Sequence, residues 1–292
     1  MHKVLVTGGK GFIGSNLVEY LLSKGHTVSV IDINRDGYEY PEVTYYYADI
    51  TKPILHSEDI FDGVTAIFHL AAEIYVQKSL EFPDLFREVN EDGTKHILDY
   101  AINNGIKNIV FSSTSAIYGN KDRGRGSLET DEADCLNAYS LSKYNAEQIC
   151  AEYSDRFNMN ITVLRYFNVY GKRQHESGQY APAIGKFLKQ KSNNEPLTVV
   201  GDGLQKRDFV NVQDVVEANY AAYTNNKGFN LYNVGQGENI SILDLANLIS
   251  DNIVFIPPRD GECRETLADI SKIKTALGWY PKVSVRDWIA NG

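Results

Sequence analysis

The stretch Val4-Leu5-Val6-Thr7-Gly8-Gly9-Lys10-Gly11-Phe12-Ile13-Gly14 constrains the fold more than any other part of the chain. An apolar run of strand length enters a cluster of glycines, and residues 15–24 then follow a helical period. Leu17, Val18, Leu21 and Leu22 share one face, and Gly25 is placed as the stop. A strand that turns into a helix through glycines needs them because the turn is tight, the backbone approaches a ligand closely, and the helix packs against the strand. The helix N-terminus then presents amides and the positive end of its dipole, which is a seat for a pyrophosphate. Two registers fit: Gly9, Gly11 and Gly14 as G-x-G-x-x-G, or Gly8, Gly11 and Gly14 as the wider G-x-x-G-x-x-G. Spacing alone leaves both open.

The context that this motif demands is present. Residues 27–32 read as a second strand ending in Asp32, 18 residues beyond Gly14. A carboxylate there accepts hydrogen bonds from an adenosine ribose and repels a 2′-phosphate, which favours NAD as the cofactor. Arg35, three residues on, keeps NADP open.

Further short β-rich runs follow at 43–49, 66–72 and 108–112, each after a helical or loop crossover. Apolar strands alternating with helices indicate an α/β fold, a Rossmann-type doubly wound parallel sheet covered on both faces. The tyrosines at 45–47 read as a half-buried strand. Residues 138–157 are helical in pattern and 160–165 form another strand. Residues 120–134 are charged and aperiodic, a surface loop without assigned chemistry. Beyond Gly171 elements shorten, with a helix at 183–191 and a strand at 197–202. This predicts an NAD-binding domain at 1–170 with a return segment at about 206–234. A smaller mixed α/β lobe for substrate spans 171–205 and 235–292, with the active site in the cleft between them.

A net charge of −9 without a long Lys/Arg run argues against nucleic acid or an anionic membrane as a partner. Cys135, Cys150 and Cys263 are widely spaced and odd in number, which indicates neither a disulfide framework nor a metal site and fits a reducing cytoplasm. With the first strand beginning at Lys3 and no apolar run of membrane length, neither a signal peptide nor a membrane span is expected.

Tyr139 and Lys143 lie four residues apart at a helix start, hence on one face. A phenol is a poor base, with a pKa near 10. A neighbouring lysine cation and a positive nicotinamide ring both favour phenolate and bring it toward the pH at which a general base works. Lys143 is also placed to hold the nicotinamide ribose. Ser112-Ser113-Thr114 ends a strand upstream.

With these residues assembled, the chain resembles the extended short-chain dehydrogenase/reductases, in particular the NAD-dependent nucleotide-sugar 4-epimerases. The marks are the 8–14 turn, Asp49-Ile50, His69-Leu70-Ala71-Ala72, Asn90 to Thr94, Ser112 to Gly119, Tyr139 with Lys143, and residues 165–171. Further marks are Gly201-Asp202-Gly203, Lys206-Arg207-Asp208-Phe209, Arg259-Asp260-Gly261-Glu262 and residues 268–272. The resemblance implies that Tyr139 takes the proton from a sugar 4-hydroxyl as hydride leaves C4 for NAD. A 4-keto sugar turns over in the pocket and receives the hydride on its other face. Thr114 is implied to bond the sugar O4 and relay the proton. Asn168 is implied to hold the diphosphate region, with Arg207 and Arg259 as diphosphate-binding arginines. Gly8, Gly11, Phe12, Ile13, Gly14, Asp32, Asp49, Ile50, Leu70, Ala71, Ala72, Asn90, Ser112, Tyr139 and Lys143 are the expected cofactor residues.

Related 4,6-dehydratases follow the threonine with Asp-Glu and decarboxylases carry a Glu two places on; here Ser115 and Ala116 stand there, which disfavours both. A 4-ketoreductase sharing Tyr and Lys stays open. So does a non-catalytic dinucleotide sensor, although such proteins often lose the Tyr or Lys. Thr266 falls where a bulky residue narrows the sugar pocket of some epimerases. A small residue there resembles enzymes that accept UDP-N-acetylglucosamine and UDP-N-acetylgalactosamine as well as UDP-glucose and UDP-galactose. The family's homodimer, built from helices near 85–103 and 139–157, is the expected assembly.

Overall fold

The structure is a computed structural model that describes residues 2–54, 57–120, 124–176, 182–258 and 263–291. In chain order it runs through β1 (Lys3–Thr7), α1 (Phe12–Ser23), β2 (Thr27–Asp32), β3 (Thr44–Tyr47), α2 (Ser57–Phe61), β4 (Val64–His69), α3 (Val76–Glu81) and α4 (Pro83–Phe86). A π-helical turn, Arg87–Asp92, leads into α5 (Gly93–Asn103), followed by β5 (Asn108–Thr114), α6 (Ala138–Phe157), β6 (Asn160–Tyr166) and β7 (Asn168–Tyr170). Then come α7 (Ala183–Ser192), β8 (Leu197–Val200), β9 (Lys206–Arg207), β10 (Phe209–Asn211), α8 (Val212–Thr224) and β11 (Phe229–Val234). The chain continues through β12 (Ile240–Ser241), α9 (Ile242–Ile249), β13 (Ile253–Ile256), α10 (Ser271–Leu277) and α11 (Val285–Asn291).

Seven strands form one parallel sheet in the order β11-β6-β5-β4-β1-β2-β3. Successive side chains of a strand point to opposite faces, so each strand feeds two cores. Val4 and Val6 join Leu17, Val28, Val30 and Phe68 on one face, while Leu5 joins Ile31, Ile67, Ile109 and Phe111 on the other. All eleven of these side chains are at most 1% exposed. Burial of each large aliphatic contributes about 1.5–3 kcal/mol, and strands buried on both faces read as continuous apolar runs rather than alternating ones.

The chain winds outward from β1 to β3, returns, and winds the other way from β4 to β11. The reversal falls between β1 and β4, the crevice in which such sheets bind ligands. A third core gathers Tyr170, Ile184, Phe187, Leu197, Val199, Phe209 and Leu245 beside this crevice. It is built from short two-stranded pairings, β13 with β8, β12 with β9 and β10 with β7.

The described residues 124–134 differ from the plain surface loop expected for 120–134. Ser127 is buried, its amide donates to the Leu267 carbonyl (2.8 Å), and its carbonyl accepts from the Asp269 amide (3.0 Å). Glu129 accepts from the Asn233 amide (2.9 Å). These bonds strap the segment across β11 and the C-terminal residues, and hydropathy carries no trace of them because each partner is distant in sequence.

Candidate active site

A cleft of about 1080 Å³ opens over the carboxyl ends of β1, β4 and β5 and extends to the third core. Gly8, Gly11, Phe12, Ile13 and Gly14 line it, and Gly9 does not. Gly8 has φ +69°, and a Cβ there would stand 2.8 Å from the Ala71 amide nitrogen; a Cβ at Gly14 would collide with the Gly8 carbonyl oxygen. Gly9 packs against Val30 on the far side. The wider register, Gly8-Gly11-Gly14, is therefore the one that faces the cleft. Gly11 is the N-cap of α1 and brings no side chain to its first amides, which leaves that turn to a ligand anion.

Asp32 closes β2 at the cleft wall, 6% exposed, with Oδ2 accepting from the Lys10 amide and Oδ1 from the Asn34 amide, both at 2.9 Å. Arg35 lies off the wall, its guanidinium stacked 4.7 Å from the Tyr47 ring centroid. Asp49 and Ile50 line the same end, with Asp49 Oδ1 accepting from the Thr51 amide (2.9 Å) and hydroxyl (2.8 Å).

Leu70, Ala71 and Ala72 line the cleft after β4, held by a buried relay. The Thr94 hydroxyl donates to the Asn90 carbonyl (2.6 Å), so its oxygen accepts from His69 Nε2 (3.0 Å). His69 Nδ1 must then accept from the Thr7 hydroxyl (2.6 Å), whose oxygen receives the amides of Leu70 and Ala71, each at 3.2 Å. Burial pushes the His69 pKa down to about 3, with the Lys143 charge adding to the effect, so the imidazole is neutral. Asn90, expected on the cofactor wall, is buried behind it in the π-helical turn. Its Oδ1 accepts from the Glu73 amide (2.9 Å), and its Nδ2 donates to the Glu73 carbonyl (3.0 Å) and to Ser142 Oγ (2.9 Å). It clamps the loop after β4 to the first turn of α6.

That first turn carries Tyr139. Asn137 caps it by accepting from the Ser140 amide at 2.9 Å, a reciprocal capping box. Tyr139, Lys143, Ser112 and Thr114 all line the cleft. Lys143 is 4% exposed, with Nζ 4.2 Å from the Phe111 ring centroid, and burial lowers its pKa to about 8. One turn further, Glu147 accepts from Arg165 Nε (2.9 Å) and Nη2 (2.6 Å) and from Ser113, fastening α6 to β5 and β6. The expected lowering of the Tyr139 phenol by Lys143 is not found. Burial raises its pKa, and a hydrogen bond with Thr114 opposes the rise. Both groups share one dry wall, where desolvation outweighs a single hydrogen bond.

On the opposite wall Asn168, Arg207 and Thr266 line the cleft, and Arg259 lies outside the described residues. Asn168 donates its backbone amide to the Asp208 carbonyl (3.0 Å), and Nδ2 to that carbonyl (2.9 Å) and to Thr266 Oγ1 (3.0 Å). Its donors hold the wall together. Beneath them Asp208 accepts amides of Gln236 (2.6 Å), Gly237 (3.0 Å) and Ala268 (3.0 Å), and burial raises its pKa to about 6. Sequence reasoning missed Glu73, which lines the cleft paired with Lys78 at 2.9 Å, and Asn137. Asn three residues before Ser140 at the helix start was the available signal for the cap.

A dinucleotide crevice at a topological switch point, with a tyrosine and lysine one helical turn apart on its wall, defines an NAD-dependent enzyme of the extended short-chain dehydrogenase/reductase type. Residues 4–235 match the NAD dependent epimerase/dehydratase family, and the chain belongs to that family. It is 33% identical to a UDP-N-acetyl-alpha-D-glucosaminuronate decarboxylase of Bacillus cytotoxicus, covering 97% of this chain and 94% of the relative. It is 31% identical to a UDP-glucuronate 4-epimerase of Thermodesulfobacterium geofontis, covering 98% and 94%. The crystal structure of a UDP-glucose 4-epimerase from Thermotoga maritima, with UDP-glucose, superposes with a TM-score of 0.93 at 33% identity, over 98% of this chain and 96% of that one.

Proposed function

We propose that this chain is a nucleotide-sugar 4-epimerase interconverting UDP-gluco and UDP-galacto sugars through a 4-keto sugar. The observation that carries the reading is the meeting of Thr114, Tyr139 and Lys143 on one cleft wall, with no carboxylate at the two positions after Thr114, Ser115 and Ala116. Dehydration or decarboxylation needs an acid or base there; epimerisation needs only a base that gives back the proton it took.

In this reading residues 1–170 and 206–234 form the cofactor domain, and 171–205 with 235–292 form the lobe that closes on the sugar nucleotide. The amides of the Gly11 to Gly14 turn hold the pyrophosphate, Asp32 the adenosine ribose, and Lys143 the nicotinamide ribose. Bound NAD supplies the hydride acceptor and a fixed positive charge that favours phenolate. Tyr139 takes the proton of the sugar 4-hydroxyl, with Thr114 bonded to the phenol oxygen as relay. Arg207 and Arg259 bind the diphosphate. The small Thr266 leaves room for a 2-acetamido group, so UDP-N-acetylglucosamine and UDP-N-acetylgalactosamine are substrates alongside UDP-glucose and UDP-galactose.

NMR of the products from UDP-N-acetylglucosamine and from UDP-glucose tests this. Galacto isomers without net NADH are expected. A 4-keto-6-deoxy sugar would refute it, and turnover of UDP-glucose without turnover of UDP-N-acetylglucosamine would refute the Thr266 argument.

A further inference from the structure

Lys10 sits inside the glycine turn, and its amide is bonded to the very carboxylate, Asp32, that marks the ribose end of the cleft. A lysine there has the reach and charge to hold a 2′-phosphate. Its side chain, 1% exposed, is instead folded away from the cleft. Nζ donates to Glu39 Oε1 (2.7 Å) and to the Arg35 carbonyl, and lies 5.1 Å from the Tyr47 ring centroid. The Tyr47 hydroxyl donates to the same Glu39 oxygen (2.6 Å), and Arg35 is stacked on the Tyr47 ring. One carboxylate therefore neutralises the nearer cation and anchors the ring that occupies the second.

We propose that Glu39 is a cofactor-specificity residue: by sequestering Lys10 it leaves Asp32 as the uncompensated charge at the ribose subsite, and the chain reads a 2′-hydroxyl and rejects a 2′-phosphate. The proposal concerns cofactor choice and is independent of which sugar reaction the enzyme performs. Asp32 alone gives a preference; Glu39 removes the cation that would cancel it. A charge-assisted contact between a released ammonium and a phosphate is worth about a tenfold change in affinity or more.

The test is calorimetric titration of nucleotide-stripped protein with NAD and with NADP for wild type, Glu39→Gln, Glu39→Ala and the double variant Glu39→Gln/Lys10→Met. Glu39 is half exposed, and melting temperatures confirm that each variant is folded. Both single variants are expected to narrow the NAD preference by about tenfold, chiefly by tightening NADP, and the double variant is expected to lose that gain. An NADP-to-NAD ratio of dissociation constants unchanged in both single variants would overturn the proposal. So would a narrowed ratio that persists in the double variant, because the effect would then not run through Lys10.

Discussion

Removing one oxygen atom separates chemistry from packing at Tyr139. Tyr139→Phe keeps the ring edge-on to Phe86, centroids 6.3 Å apart, and takes away the proton acceptor. The expected loss in kcat is about 10²–10⁴-fold, with NAD binding by calorimetry much less affected. Asp208 makes a pH prediction. Its carboxyl ionises near 3.8 in the unfolded chain but only near 6 when folded, so between these values the folded state holds the extra proton. Stability from this group is complete below about 3.8 and is lost as pH rises through about 6. Urea midpoints across that window are expected to show this falling contribution in wild type and to lack it in Asp208→Asn. The stability difference between wild type and variant is therefore expected to shift in the variant's favour as pH rises through about 6.

Among the elements, the turn from β1 to α1 is the least tolerant of change. Gly14→Ala sets a methyl against the Gly8 carbonyl, and overpacking of this kind costs about 1–3 kcal/mol. Because the displaced backbone is the proposed pyrophosphate seat, NAD affinity is expected to fall more steeply than the melting temperature. The buried parallel strands and α6 were legible in the sequence because an apolar run or a 3.6-residue period is a local property. The glycine register was not, since it depends on Ala71, after β4, and Val30, in β2, approaching from elsewhere in the sheet. The place of Asn90 behind the wall was equally hidden: Glu73 and Ser142, which it joins, come from two distant segments. Residues 120–134 read as a bare loop for the same reason. Tyr139 and Lys143 could be placed on one face because their four-residue spacing at a helix start is a local property, whereas the role of Thr114 came from the resemblance to the family.

For the molecule as a whole, ligand binding and stability are linked through the crevice between β1 and β4. NAD at 100 times its dissociation constant is expected to add about 2.7 kcal/mol to the unfolding free energy, seen as a raised denaturation midpoint. We propose that the chain pairs through α5 and α6, where Leu141 and Phe157 are exposed; sedimentation equilibrium should then return twice the chain mass of 32.8 kDa.

The central claim is that hydride leaves and returns to the same carbon within one closed cleft. The most direct measurement is the fate of deuterium at C4 of UDP-glucose carrying the label there. The account predicts UDP-galactose that keeps the deuterium at C4, with no NADH released. Loss of the label to solvent, or NADH accumulating with a ketone product, would contradict it.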